Sequence, residues 1–199
     1  MRRQGQGVVR CGWVAVAAVA VLVGGCTGEP VPERTTTAAT PSASASPVPS
    51  PPPRPEQPEA AGPMAEPSAD GALAAATHFL DLHRYAFMTG DTAPLRAMSA
   101  AGCDYCNGVV AEVEEAVEEG LLTDRDTSEI LGAEATEIRP DEWFSAELRI
   151  RQGEIRLLGD DGSVLAVDDT RAVVDFTFAL SWVDGRWAVD GVDLAEAPQ

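Results

Sequence analysis

Lysine is absent from this chain of 199 residues, and all 14 of its basic residues are arginines. The chain also contains 32 acidic residues, so its formal net charge is −18. Nucleic-acid binding requires clustered cations that neutralise phosphates, and an anionic lipid surface repels a chain of this charge. We therefore expect no nucleic-acid partner and no phosphate-binding role.

Histidine and cysteine are scarce, with two and four residues respectively. His78 and His83 lie roughly 140° apart around a helix, so they do not share a metal ion as an i, i+4 pair would. No further Cys or His pair follows Cys103 and Cys106 to complete a zinc site. Motifs of serine hydrolases, phosphate loops, zinc proteases and calcium loops are also missing. We predict no metal and no cofactor.

The N-terminus has the pattern of an export signal. Three arginines precede an apolar run over residues 11–23, which ends in Leu22-Val23-Gly24-Gly25-Cys26. An uncleaved membrane anchor is the alternative, but a spanning helix needs about 20 apolar residues, more than this run supplies. The ending resembles the lipobox of bacterial lipoproteins. That resemblance implies removal of a signal peptide at 1–25 and diacylation of Cys26, which becomes the first residue of the mature chain.

Composition extends this prediction. Abundant Ala, Arg, Val, Gly and Pro are typical of a G+C-rich genome, which together with a lipobox indicates an actinobacterium. The chain after residue 25 retains 11 arginines against 32 acidic residues, a net charge of −21. Such a chain is not held at an anionic surface by its own charge. We expect the lipid on Cys26 to attach it to the extracytoplasmic face of the cell membrane.

Residues 26–67 are predicted to form a disordered tether. Twelve of the 15 prolines lie between Pro30 and Pro67, among Thr, Ala and Ser. Such segments favour polyproline II conformations and contain too few large apolar residues to offset the entropy of folding.

Three helices are predicted at the start of a folded domain over 68–196. The first runs from Ser68 or Asp70 to about Met88 and stops at Gly90. A short helix follows, capped at 91–93, with Pro94 in its first turn. The third spans 104–119, with valines on one face and glutamates on the other, where we expect a solvated surface.

After Gly120 the apolar period changes to two, which predicts strands. The predicted strands cover 131–139, 145–152, 154–158, 171–183 and 186–194. Gly153 is predicted to join its two flanking strands tightly, and Asp184-Gly185 is predicted to form a two-residue hairpin turn. Trp187 and Val189 are predicted to face the core. Helices followed by antiparallel strands favour an α+β fold, with the helices packed on one face of a curved, cone-like sheet.

The order of motifs in the domain supports a family resemblance. A Tyr-Ala pair late in the first helix is followed by Thr89-Gly90-Asp91-Thr92-Ala93-Pro94-Leu95, and then by Cys103 and Cys106. These elements resemble a family of actinobacterial lipoproteins known only as a domain of unknown function. The layout, including the closing hairpin, is also similar to the nuclear-transport-factor-2-like (cystatin-like) cone. That superfamily contains enzymes, binding modules and structural domains, so the resemblance implies a fold and no activity.

Cys103 and Cys106 are expected to form a disulfide, the usual state of a cysteine pair outside the cytoplasm. A redox centre and a zinc half-site are the alternatives. His78, His83 and Asp175 are weak catalytic candidates. Either histidine could act as a general base. The favoured interpretation places His78 at the margin of the helix and His83 beside the core, where it forms a hydrogen bond. Asp175 could be a base in a pocket of the cone, although a cross-strand ion pair with an arginine is the favoured interpretation.

From these patterns we favour a lipid-anchored, non-enzymatic envelope protein that binds a small ligand or another protein. One alternative is a small isomerase, dehydratase or hydrolase that uses Asp175 or a histidine. The other is an accessory subunit of a membrane or cell-wall complex.

Overall fold

The computed structural model describes residues 55–197. Within them, helices come first and strands follow. The helices are α1 (Ala69–Thr89), α2 (Ala93–Met98) and α3 (Asp104–Glu118). The strands are β1 (Leu122–Asp126), β2 (Glu129–Arg139), β3 (Trp143–Arg151), β4 (Ile155–Leu158), β5 (Val164–Asp168), β6 (Val173–Val183) and β7 (Arg186–Glu196). The predicted α+β class is confirmed.

The signal peptide predicted over 1–25, Cys26 and most of the predicted tether lie outside the described residues. Inside the tether range, Gly62–Ala65 form a 3-10 helix, and Met64 packs against the core. The Trp187 indole Nε1 donates a hydrogen bond to the Met64 carbonyl oxygen at 3.1 Å. Regular structure therefore begins before Ser68, where the sequence predicts the domain to start. No helix among the described residues is long and apolar enough to cross a membrane.

The helix ends follow the local sequence signals. The Ser68 hydroxyl accepts a hydrogen bond from the Gly71 backbone N–H at 3.0 Å, which caps α1. Gly90 ends α1 with a left-handed φ of 76°, a conformation that glycine adopts without strain. Pro94 lies in the first turn of α2, where a missing N–H has little cost. The predicted helix ends are confirmed to within about two residues.

The strands form two antiparallel sheets, a three-stranded one in the order β1-β4-β5 and a four-stranded one in the order β2-β3-β6-β7. β1 pairs with β4, whereas β2 pairs with β3. The segments that join the sheets are themselves hydrogen-bonded. Thr127 N donates to Glu154 O at 3.1 Å, and Gln152 N donates to Ala172 O at 2.8 Å. The chain thus passes three times between the sheets along one line, and together they form a layer that bends at this line.

Three details of the predicted strands are wrong. The sequence predicts a tight strand connection at Gly153, but the strands on its two sides belong to different sheets. Gly153 instead lies at the bend, packed against the backbone of Thr127 and Ser128. The other two errors are β1 and β5, which are absent from the predicted strands. β1 is rich in charge, and β5 lies between two pairs of aspartates that indicate turns.

The core lies between the helices and the four-stranded sheet. Phe79 of α1 meets Phe178 of β6 edge to face, with ring centroids 5.8 Å apart, and both side chains are fully buried. Phe144 of β3 and Trp187 of β7 make a similar contact at 5.0 Å. Burial of Trp187 and Val189 confirms the predicted core face of β7. In the connecting turn Asp184 and Gly185 both have positive φ, 52° and 75°, as a type I′ hairpin turn requires.

Candidate functional site

A cavity of about 360 Å³ lies between the second half of α1, α3, β1 and β4. Helical spacing brings His83 and Phe87 of α1, and Glu112, Val113 and Ala116 of α3, to its two helical walls. On the other side, alternate residues of β4 and residues in and next to β1 complete the lining. The complete lining is His83, Arg84, Phe87, Glu112, Val113, Ala116, Leu121, Leu122, Thr123, Asp126, Ile155 and Leu157. The cavity is thus mainly apolar, with a few polar groups.

Arg84 and Asp126 form an ion pair at one wall of the cavity, with Arg84 Nε 3.1 Å from Asp126 Oδ2. The other two guanidinium nitrogens donate to Asp81 Oδ1 at 3.2 Å and to the Ser128 carbonyl oxygen at 3.3 Å. Burial acts to raise the pKa of Asp126, but hydrogen bonds from Ser128 and the charge of Arg84 outweigh it and lower that pKa. Asp126 is therefore ionised at neutral pH, and it holds Arg84 in place.

His83 is one of the titratable groups that line the cavity. Burial lowers its pKa to about 4; Arg84 adds to this effect, while Asp126 opposes it. The imidazole is consequently neutral at neutral pH and has one donor and one acceptor nitrogen. Its ring packs against Phe87, with centroids 5.0 Å apart. The hydrogen bond predicted for His83 is wrong, because within residues 55–197 no protein group hydrogen-bonds to its side chain. Both ring nitrogens are therefore available to a ligand.

Asp175 lies on the opposite, outer face of the four-stranded sheet. It is paired with Arg149 on the neighbouring strand, with Arg149 Nε 2.7 Å from Asp175 Oδ1 and a second bond of 2.8 Å to Oδ2. Hydrogen bonding from Arg149 lowers the pKa of Asp175. This is the cross-strand ion pair that the sequence analysis favoured over a catalytic base.

The remaining candidates lie apart from the cavity. His78 sits partly buried beside Glu59 and Ala61 of the segment that precedes α1, and burial lowers its pKa. Cys103 and Cys106 form a disulfide with an S–S distance of 2.04 Å, and both residues are fully buried at the start of α3. Among the described residues, no three His, Cys, Asp or Glu side chains form a group able to hold a metal ion. The structure therefore brings together none of the three catalytic candidates His78, His83 and Asp175.

Sequence reasoning named His83 as a weak catalytic candidate, without the cavity, and missed Arg84 and Asp126. Arg84 shows a local signal, because Asp81 lies one helical turn before it. Asp126 gives no such signal, since it reaches the cavity only through the pairing of β1 with β4.

A model of a family of unknown function (DUF6318) matches residues 36–193. No curated protein sequence matches the chain. Among solved structures, the intermembrane space region of the chloroplast protein ARC6 is similar, at 12% identity and a TM-score of 0.50, over 65% of this chain and 98% of that one.

Two other similar structures are described by their folds. A protein with a cystatin-like fold from Caulobacter vibrioides has 13% identity and a TM-score of 0.42, over 62% of this chain and 88% of that one. An NTF2-like protein of unknown function from Shewanella baltica OS155 has 14% identity and a TM-score of 0.36, over 63% of this chain and 93% of that one. Similar solved structures thus include a cystatin-like and an NTF2-like protein.

Proposed function

The chain belongs to the DUF6318 family of unknown function, and we propose that it is a lipid-anchored extracytoplasmic protein that binds a neutral, apolar small molecule. The binding site is the cavity between α1, α3, β1 and β4. The observation that carries this proposal is the apolar lining of that cavity around a neutral His83.

The size and lining of the cavity suit a small ligand. Its volume of about 360 Å³ falls in the range of about 300–1,000 Å³ that is usual for ligand pockets. Seven of its twelve lining residues are apolar. Ligand sites typically combine such a lining with a few polar groups that orient the ligand, and His83 has two free ring nitrogens for this role.

The charges around the cavity select against anionic ligands. Arg84 is already neutralised by Asp126 and Asp81. Glu112 adds a further carboxylate at the cavity wall. An anion would meet these acidic groups without a free cation of the lining to balance it. A neutral molecule with one hydroxyl or carbonyl group for His83 fits best.

Binding is favoured over catalysis by the protonation states. A general base works best when its pKa lies near the working pH. Burial places the pKa of His83 at about 4, and Arg149 lowers that of Asp175. Both groups are therefore weak bases, and they line separate cavities.

The extracytoplasmic location is supported by the export pattern that ends at Cys26 and by the disulfide between Cys103 and Cys106. Disulfides persist mainly in oxidising compartments. The lipid is proposed as the attachment because two acyl chains give stable anchoring without help from basic residues.

The cavity is tested with the neutral fluorescent dye Prodan, which has one carbonyl group. Ala116 lines the cavity, whereas Ala111 lies exposed on the same helix. Ala116→Phe should fill the cavity and weaken dye binding by at least about tenfold, which corresponds to about 1.4 kcal/mol. Ala111→Phe is the matched control and should bind as the wild type does. Equal binding by all three proteins would contradict the proposed site.

The anchor is tested separately by Cys26→Ala in the native cell. The variant should leave the membrane fraction, and mass spectrometry should find acyl chains on Cys26 of the wild type only. Membrane retention of a Cys26→Ala product that has been cleaved would contradict lipid anchoring, without bearing on the cavity.

A further inference from the structure

β5 is an edge strand of the three-stranded sheet, and its apolar side chains face solvent. Val164, Leu165 and Val167 are 50%, 57% and 54% exposed. An edge strand presents unpaired N–H and C=O groups, which natural proteins usually protect with charged residues or proline. The segment from Val164 to Val167 contains neither.

The other sheet edges in the described part of the chain are protected. β1 is charged at all three positions over 124–126 and packs against α1. β2 has charged residues at both of its ends and in its middle. At β7, Ser99 forms a bridge with Val189, whose carbonyl oxygen accepts a hydrogen bond from Ala100 N at 2.9 Å. Among residues 55–197, β5 thus stands out as an edge that is both apolar and uncovered.

The ends of β5 are strongly acidic. Asp160 and Asp161 precede the strand, while Asp168 and Asp169 close it, and Arg171 follows. The exposed apolar centre lies between these two pairs of carboxylates. A partner strand binds here most tightly when its own centre is apolar and its ends are basic, because opposite charges then face each other at both ends.

The same charges disfavour a second copy of the chain as the partner. Antiparallel pairing of two β5 strands would place the acidic pair before one strand beside the acidic pair after the other. Each end would gather four aspartates against one Arg171. Like charges at such positions destabilise a strand pair.

We propose that β5 is a docking strand for another protein, which adds an extended segment with an apolar, β-branched centre and Lys or Arg flanks. In strand addition, main-chain hydrogen bonds supply affinity and alternate side chains supply specificity. The acidic flanks set the preference for a basic segment. This interaction is independent of the proposed small-molecule site, since the β5 residues do not line that cavity.

The test uses the full-length protein in detergent and the labelled peptide Arg-Lys-Val-Thr-Val-Ile-Val-Lys-Arg. A control peptide has glutamate in place of its four basic residues. Val167→Lys should weaken binding of the basic peptide by at least about tenfold, because it puts a positive charge beside the peptide. Val183→Lys is the matched control, since Val183 is 48% exposed at the end of a strand in the other sheet. Fluorescence anisotropy gives the Kd values.

Saturable binding of the basic peptide, weakened by Val167→Lys and not by Val183→Lys, would support the proposal. Hydrogen exchange should then slow at residues 164–168, and affinity should fall as salt is raised. No binding, equal binding of the acidic peptide, or equal loss in the two variants would overturn it. Self-association abolished by Val167→Lys in analytical ultracentrifugation would also overturn it, by identifying a second copy as the partner.

Discussion

A methyl group added at Gly153 would overlap the backbone on the other side of the bend between the two sheets. The new carbon would lie closer than 3.0 Å to the carbonyl carbon and oxygen of Thr127 and to the nitrogen of Ser128. Non-bonded carbon atoms normally approach to about 3.5–4.0 Å. Since the overlapping atoms belong to the backbone, no side-chain rotation relieves the overlap. In Gly153→Ala the two segments must therefore move apart.

The cost of that movement follows from the contacts at the bend. Overpacking of a tight site costs about 1–3 kcal/mol. Separation also strains the hydrogen bonds from Gly153 N to Ser128 Oγ at 3.0 Å and from Glu154 N to Thr127 Oγ1 at 2.8 Å. Each such bond contributes about 0.5–1.5 kcal/mol. We expect Gly153→Ala to lower the free energy of unfolding by about 2–4 kcal/mol.

Urea-induced unfolding, followed by tryptophan fluorescence, measures this change. Gly132→Ala is the matched control, because a methyl group at Gly132, in β2, has no neighbour within 4 Å. We expect the control to change the free energy of unfolding by no more than about 0.5 kcal/mol. Wild-type stability in Gly153→Ala would show that the two segments are not in contact at the bend, and our account of the bent layer would be wrong.

Three further predictions concern the disulfide, His83 and the segment before α1. Replacing Cys103 and Cys106 together by alanine should lower the free energy of unfolding by about 2 kcal/mol through loss of loop constraint, as measured in urea. Folding lowers the pKa of His83 to about 4. Between pH 6.5 and about 4, His83 is therefore protonated in the unfolded chain and neutral in the folded chain. The contribution of His83 to the free energy of unfolding should therefore be fully present above pH 6.5 and fall by up to about 3 kcal/mol towards pH 4. His83→Gln should flatten this part of the pH profile of stability. Trp187→Phe removes the hydrogen bond to Met64 and should speed proteolytic cleavage within residues 55–67, whereas an unchanged rate would show that this bond does not hold the segment.

The helices could be predicted from the sequence because their signals are local. Ser68, Gly90 and Pro94 each act within one helical turn, so a single stretch of sequence contains the cap, the stop and the first turn. The signals of the β6–β7 hairpin are local in the same sense. Asp184-Gly185 determines the turn, and the alternation of apolar residues determines which face of each strand is buried. These elements account for most of the buried core.

The bend and the cavity could not be predicted, because they depend on contacts between distant segments. Gly153 resembles a turn residue in the sequence, and only its approach to residues 127–128 shows that it lies at the bend. Likewise, Asp126 reaches Arg84 across 42 positions of sequence. Periodicity contains no information about such contacts, and β1 is too charged to be recognised as a strand by its apolar pattern.

The two sheets differ in their share of the buried core and of the proposed binding surfaces. The core cluster of the described residues draws its buried side chains from the helices and from β3, β6 and β7, and none comes from β1, β4 or β5. The three-stranded sheet instead lines the cavity through β1 and β4 and exposes β5 at its edge. Regions with few buried apolar contacts open at lower free energy than the core, as binding sites generally do. Substitutions in the three-stranded sheet should therefore change ligand or peptide affinity at less cost to folding than substitutions of Phe79 or Phe178, so Val167→Lys can be compared with the wild type as a folded protein.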